Sequence, residues 1–596
     1  MAVLATATLT PLLSPQDAAA ASTATVSVNA TQSLATFAAT GLGMNVAVYD
    51  GQMNSAATPG LLKAAGIGAV RYPGGSYGDI YHWKTNTTEG GYVADNTGFD
   101  AFMGTVTTSG AQPVIIANYG TGTPQEAADW VRYANVTKGY AAKYWEIGNE
   151  VYGNGLYGSG WEQDNHSSHT ATTYANNLVQ YISAMKAVDP TIKVGAVLTT
   201  PGNWPDGIVG TGDTQDWNHT VLSIAGSKID FVIVHHYPNP ASSAELLTRP
   251  QTDVPAISAT LKSLIRQYAG ANAANVGIAV TETNSSYAYD TAPAGLFAAD
   301  NYLTWVENGA FNVDWWDLRN GTDCSKITTI AGASEFGDGG VLSSGASCEP
   351  PANTPFPTYY GIQMASTLAK PGDALVSTTS SQPLLTSHAA RAGNGDVSVL
   401  LINKDPVNAT TVNLSYAGFS PAAGSPTVYT YPLNGHAITT SSSGSAGTQT
   451  VPAYSMVVVR VHPAGSTQTP SPTTPVPTTV PSPTASSTPP AGPGSCRVAY
   501  TKSEWTGGLT ATVVVTNTGT SAIDGWRLAF AFPGDTKVTN AWNATVTQNG
   551  SSATATNVAY NASIAAGASV NFGFQGTWST NDASPTSFAL NGTTCI

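Results

Sequence analysis

Charge is scarce in this chain. Only 10% of its 596 residues are Asp, Glu, Lys or Arg, and the 22 basic residues are outnumbered by 36 acidic ones. No Lys/Arg run occurs, and with a net charge of −14 the chain repels polyanions, so neither nucleic acid nor an anionic membrane is expected as a partner. Cysteine is equally sparse at four residues, with no CxxC or Cys/His cluster to hold zinc. The four fall as Cys324 with Cys348 and Cys496 with Cys595, which reads as two disulfides formed in an oxidising compartment. No apolar stretch approaches membrane-spanning length. No Gly-rich phosphate loop follows the first strand candidate, which disfavours a doubly wound nucleotide-binding sheet. Neither a metal nor a cofactor is expected. What abounds instead is Gly, Ser, Thr, Ala and Asn, the neutral surface of a secreted, extracellular protein indifferent to the charge of an uncharged polysaccharide.

The length implies about three domains. Residues 1–22 carry an apolar run and a small-residue zone like those of a signal peptide, but lack its basic start, and read as a truncated remnant. Residues 464–494 form a Pro/Thr/Ser run without charge or aromatics, an extended spacer able to reach on the order of 90 Å. Before it, apolar runs alternate with amphipathic stretches at βα spacing. Strands are expected at 42–48, 69–72, 113–118, 144–147, 193–198, 229–235, 277–281 and 313–318, with helices such as 124–133, 171–188 and 257–268 between them. Eight such units predict a (β/α)₈ TIM barrel over 23–371. From 372 to 463 the period changes to two, as in Val397-Ser-Val-Leu-Leu-Ile-Asn403, which predicts an associated β-sandwich that the 23–35 segment joins. Residues 495–596 read as a third, all-β unit.

Two glutamates stand at the C-terminal ends of expected barrel strands, where such barrels place their active sites. Glu150 ends Trp145-Glu-Ile-Gly-Asn-Glu150, after the fourth strand, and Glu282 lies in Val280-Thr-Glu-Thr-Asn284, after the seventh. A pair of carboxylates is the minimum equipment for cleaving a glycosidic bond, one as acid/base and one as nucleophile. Gly148 permits a sharp turn, and Asn149 sets an amide beside the carboxylate. An apolar, aromatic-lined setting around Glu150 is expected to favour the protonated form that a general acid needs. Of Trp315 and Trp316, one is expected to point into the core and the other, Trp316, to floor a sugar subsite. Asp79 and Asp317 fit either substrate contacts or loop caps.

The Trp145–Glu150 stretch resembles the acid/base motif of the clan A retaining glycoside hydrolases, whose acid/base and nucleophile follow barrel strands four and seven. That resemblance implies Glu150 as acid/base and Glu282 as nucleophile, with His235 and Tyr237 of Val232-Ile-Val-His-His-Tyr237 framing the latter. Arg71-Tyr-Pro-Gly-Gly75 resembles a loop motif of family 51 α-L-arabinofuranosidases, and Arg71 and Asn149 join the expected substrate contacts. Ser76 stands where that family has Asn, and Thr281-Glu-Thr-Asn284 departs from its Asp-Glu-Trp, while the barrel-plus-sandwich plan is shared with families 39, 44 and 30. Residues 495–596 resemble family 2 carbohydrate-binding modules through Trp542-Asn-Ala-Thr-Val-Thr-Gln-Asn-Gly550 and Asn571-Phe-Gly-Phe-Gln-Gly576. In that family three exposed aromatics stack on crystalline cellulose; the matching positions are Trp505, Trp542 and Tyr560, with Trp526 in the core.

The expectation is thus a retaining glycosidase of plant cell-wall polysaccharide, anchored to cellulose and acting on hemicellulose. α-L-Arabinofuranosidase on arabinoxylan leads. An endo-β-1,4-glucanase or xyloglucanase is the rival within the enzyme reading, a non-catalytic cellulose-binding protein the rival outside it.

Overall fold

The computed structural model describes residues 22–465, 496–505, 507–542, 544–557, 561–564 and 569–595. The 1–22 remnant, save Ser22, and the 464–494 spacer, save Ala464 and Gly465, lie outside them. The chain divides into two compact units, Met1–Thr469 and Pro470–Ile596.

In the first unit eight parallel strands close a barrel. They are Gly43–Asn45, Ala69–Tyr72, Gln112–Ala117, Tyr144–Ile147, Lys193–Val197, Phe231–His236, Gly277–Thr283 and Ala310–Trp315. Closure falls between the last and the first, where Asp314 and Trp315 pair with Gly43 and Met44. The expected alternation is present throughout, and two strand positions differ for a physical reason. The first ladder is shorter than its apolar run because Asn45 turns its amide onto the carbonyls of Thr281 and Trp315; beyond it Val46 N bonds Arg71 O in the second strand and Val48 N bonds Pro73 O in the loop that follows. The eighth begins earlier than expected, since Asn312 and Asp314 are buried polar residues that interrupt the apolar signal. The helix expected from 257 runs from Arg249 to Tyr268 and carries Pro255 inside it. Proline removes one backbone donor there, and burial of Pro250, Val254 and Ile257 holds the turn regardless.

The sandwich is a single nine-stranded sheet curled over its own core. Strand Ser22–Thr36 enters it from the chain's start, antiparallel to Ala374–Ser380 and parallel to Thr410–Ala417. Strand Val397–Asn403 is buried at every position. Val397, Val399 and Leu401 face the sandwich core, whereas Leu400 and Ile402 join the barrel's. A strand covered on both faces loses its polar alternation.

A buried charge cluster locks sandwich to barrel. His388 bridges Asp300 and Glu307 of helix Ala292–Glu307 at 2.8 Å each, and Lys404 pairs with Asp300 at 2.7 Å. Burial works against the imidazolium, but Glu307 and Asp300 outweigh it and push His388 from an ordinary value near 6.5 up to about 10. A group raised on folding lends stability that is complete below its unfolded pKa and is lost as pH climbs to the folded one. The urea midpoint of the wild type therefore exceeds that of His388→Gln most below pH 6.5, and the gap narrows as pH rises toward 10. Titrating both proteins across that window checks it; a constant gap would refute the linkage.

The second unit is all-β. A four-stranded sheet and a five-stranded sheet enclose Leu509, Val513, Trp526, Leu528, Phe572 and Phe574. Trp526 is fully buried and donates from Nε1 to Asn561 O at 2.7 Å. Both expected disulfides are present, Cys324–Cys348 and Cys496–Cys595, the latter joining the two ends of this unit.

Candidate active site

The fourth barrel strand ends at Ile147 and the chain turns through Gly148 at φ 79°. A Cβ there would lie 2.5 Å from Val151 Cγ2 and 2.9 Å from Tyr119 Cβ, so only glycine fits. Glu150 itself is left-handed (φ 38°, ψ 37°), a conformation that costs on the order of 1–3 kcal/mol for a residue with a side chain and tends to mark functional sites. The turn presents its carboxylate across the barrel mouth to Glu282 of the seventh strand. One donor atom each from Glu150, His235 and Glu282 lies within 4.8 Å of the others, the one such grouping of potential metal ligands among the described residues. All four carboxylate oxygens already accept hydrogen bonds from protein donors. On Glu150, Oε1 takes Tyr152 Oη at 3.2 Å and His235 Nδ1 at 2.9 Å, and Oε2 takes Trp161 Nε1 at 2.8 Å. On Glu282, Oε1 takes Arg71 Nη1 at 2.8 Å and Oε2 takes Tyr237 Oη at 2.7 Å.

His235 sits between the two carboxylates, 3.5 Å from Glu282 Oε2. Burial disfavours its charge, but Glu282 and Glu150 together raise its pKa above the ordinary value. For Glu150, burial pulls upward, yet the His235 hydrogen bond and charge, then Trp161 and Tyr152, hold the carboxyl below the usual range. This reverses the expected protonation. The setting is aromatic, but its rings turn N–H and O–H groups toward the carboxylate, which favours the ionised form of Glu150 beside His235.

Beneath the pair lies Arg71, wholly buried. Its guanidinium reaches Glu146 at 2.9 Å, Glu282 at 2.8 Å, Asn45 at 3.0 Å and Asn149 at 2.8 Å. Burial opposes its charge, and Glu146 and Glu282 more than restore it. Arg71 was expected to touch substrate; no part of it reaches the surface, and it braces the residues around it instead. Asn149 is likewise buried and committed on both sides, its Oδ1 to Arg71 and its Nδ2 to Glu162 at 2.9 Å. Ser76, at the position of the family 51 Asn, donates to the same Glu162 oxygen at 2.8 Å. Burial, then Asp79 and Glu150, lift Glu162 well above the carboxylate range.

Two pairs of neighbouring residues face different ways. His235 faces the carboxylates while His236, one residue on and on the opposite face, packs edge-on against Trp305, 5.6 Å between centroids. Trp315 is fully buried near Phe297 and Tyr302; Trp316 is half-buried, its ring seated against Gly75. Asp79 and Asp317 are both buried, and only Asp79 caps backbone groups. The first accepts from the backbone N–H groups of Asn149 and Tyr119, the second from Tyr49 Oη. Burial raises Asp79 to about 8. Asn284 is pinned by the carbonyls of Trp316 and Gly339, which ties the loop carrying Cys324–Cys348 to the end of the Glu282 strand.

Sequence reading passed over Glu146, Tyr152, Trp161 and Glu162. Glu146 carried one usable signal, a charge inside an otherwise apolar strand. The others sit on a long loop whose path no local pattern discloses. In the second unit, Trp505 and Trp542 close strands Cys496–Trp505 and Lys537–Trp542, the two edges of one sheet. Their side chains, and the whole of Tyr560, lie outside the described residues.

A closed (β/α)₈ barrel joined to a β-sandwich is a fold with solved counterparts. The structure is like that of an α-L-arabinofuranosidase from Thermotoga maritima, solved as an arabinose complex: 20% identity, TM-score 0.56, over 74% of this chain and 100% of that one. Residues 496–595 match the sequence model of the cellulose binding domain family. Exoglucanase B of Cellulomonas fimi is 48% identical over 102 residues, 17% of this chain and 9% of that protein. A probable α-L-arabinofuranosidase C of Aspergillus clavatus is 29% identical over 238 residues, 33% of this chain and 43% of that protein. The chain thus spans less than half the length of either relative.

Proposed function

We propose that this chain is a secreted, retaining glycoside hydrolase, specifically an α-L-arabinofuranosidase acting on arabinoxylan-type hemicellulose and anchored to cellulose by its C-terminal unit. The observation that carries the reading is the pairing of Glu150 and Glu282 with oxygens inside 4.8 Å of one another. That spacing suits carboxyl groups about 5–5.5 Å apart, as retention requires, rather than the 6.5–9.5 Å that leaves room for an inverting water. Glu282, fixed by Arg71 and Tyr237, is the nucleophile and attacks the anomeric carbon. Glu150, the more exposed at 20% against 7%, protonates the leaving oxygen. The proton reaches it from His235 as substrate binds and displaces water. Once Glu282 is glycosylated it no longer carries the charge that most strongly supports the His235 imidazolium, and Glu150 is left ionised to deprotonate the attacking water. His235 and Tyr237 line the sugar side of this step, with Trp316 as its floor; Arg71 and Asn149 act from beneath.

Assays of the purified protein on an aryl α-L-arabinofuranoside, arabinoxylan, xyloglucan and carboxymethylcellulose test the reading. Release of free arabinose from the first two is expected. Shortening of either glucan chain without arabinose release would instead establish the endo-acting alternative, and no hydrolysis of any substrate the non-catalytic one. Cellulose anchoring has a separate readout. Truncation after Pro463 should abolish retention on crystalline cellulose and leave activity on the soluble aryl substrate unchanged, because both glutamates and their hydrogen-bond partners belong to the first unit. Loss of soluble activity would place part of the second unit in the active site.

A further inference from the structure

We infer that Trp161 and Trp204 form a leaving-group platform that binds a linear β-1,4-linked pyranose chain beside Glu150. The inference deepens the proposed function by naming what the leaving oxygen belongs to. The two indoles are among the few large apolar side chains left exposed in the first unit, at 42% and 50%. They lie together, 5.2 Å between ring centroids and tilted by 48°. An exposed aromatic pair is unfavourable in water unless it meets a ligand, and an indole face suits the C–H face of a pyranose.

Its position decides which part of a substrate it meets. Trp161 Nε1 donates to Glu150 Oε2 at 2.8 Å, so the platform is continuous with the carboxylate that protonates the leaving oxygen, and among the described residues no tryptophan donates to Glu282. The reacting sugar sits over Glu282, Tyr237 and Trp316; the group it leaves extends over Trp161 and then Trp204.

The platform is also built rather than incidental. Both rings lie against glycine, where any side chain would intrude: a Cβ on Gly153 would stand 2.6 Å from the Trp161 ring, and one on Gly158 3.0 Å from that of Trp204. The segment between is closed by Trp161 N donating to Gly153 O at 2.8 Å and by a bridge between Asn154 and Gly160. Buried Tyr157 donates to Asp213 Oδ2 at 2.7 Å, pinning the Trp161 loop to the segment that follows the fifth strand and carries Trp204. Asp206 caps the Trp204 turn through Gly202 N at 2.8 Å. Two loops fixed to each other hold two indoles in register, which lowers the ordering cost of stacking an extended chain.

Trp204→Ala separates this from the chemistry, since Trp204 touches neither carboxylate. On arabinoxylan, kcat/KM should fall by about tenfold, through KM, the loss expected from one stacking contact. On α-L-arabinofuranosyl fluoride, whose leaving group cannot reach the platform, kinetics should be unchanged. A binding readout independent of turnover uses the full-length Glu282→Ala protein titrated with xylotetraose and cellotetraose, following indole fluorescence with and without Trp204→Ala. A saturable change that Trp204→Ala removes supports the platform, and whichever oligosaccharide gives it identifies a xylan or a glucan backbone. Equal losses on polymer and fluoride, or fluorescence changes that Trp204→Ala leaves intact for both oligosaccharides, would overturn it. If the wild type hydrolyses no arabinofuranoside yet the fluorescence change is present, the arabinofuranosidase reading fails and the platform stands.

Discussion

Glu282→Ala lowers turnover by on the order of 10⁴-fold or more, the scale seen when a covalent nucleophile is removed from an otherwise intact site. The fold should survive the change, because Arg71 keeps Glu146, Asn45 and Asn149 as partners. Glu150→Ala behaves differently, and the difference assigns the roles. With a good aryl leaving group, glycosylation needs no proton, so Glu282 still forms the covalent intermediate and the defect falls on its hydrolysis. Loss of acid/base assistance costs roughly 10²–10⁴-fold. Azide, which needs no base, should then restore turnover and give the glycosyl azide with the configuration of the substrate. With Glu282→Ala, azide can act only as an external nucleophile and gives the opposite anomer. Chiral analysis of the two azide products by NMR is decisive: the same anomer from both variants, or no rescue of Glu150→Ala, would remove Glu150 from the acid/base role.

Arg71→Met should destabilise the first unit by about 3–5 kcal/mol, the cost of leaving a buried charge without its partner. Arg71 is completely enclosed and answers two carboxylates and two amide oxygens. Burial already raises Glu146 despite that cation; without it Glu146 folds only by taking up a proton. Linkage then makes Arg71→Met more stable relative to wild type as pH falls toward the carboxylate range, since across that window its folded state binds a proton on Glu146 that the unfolded state lacks. Arg71→Lys keeps the charge but not the fork that reaches four acceptors. It should fold with a smaller loss of stability and yet lose most of kcat, as Glu282 and Asn149 cease to be held from one point. Denaturant midpoints near pH 5 and pH 8, read with kcat, test both. A midpoint for Arg71→Met equal to wild type would show that the buried pairs contribute nothing net.

Two features of the site resisted local reading for opposite reasons. Glu150 and Glu282 announce themselves because each interrupts or ends an apolar strand, and a barrel brings strand ends to one rim whatever the loops do. Arg71 announces only a loop motif. Its four partners come from strands one, four and seven and from the turn after strand four, and no spacing along the chain records that they converge on one guanidinium. The protonation of Glu150 was misjudged for a related reason. Aromatic residues nearby imply an apolar pocket only when their ring faces point inward, and here Trp161 and Tyr152 present donors.

By itself the sequence determined the eight βα units, the period-two sandwich, the two disulfides and the strand-end positions of the two carboxylates. Each is a periodicity, a composition or a strand-end residue, and such features depend on neighbours a few positions away. Tertiary structure alone decided that Arg71 is a brace, that Trp161 and Tyr152 turn donors toward Glu150, and that the Trp161 and Trp204 rings lie together. Those outcomes turn on which face of a strand looks inward and on where a loop of more than a dozen residues comes to rest. Both are set by closing the barrel, when residues far apart in the chain are forced to share one layer of side chains.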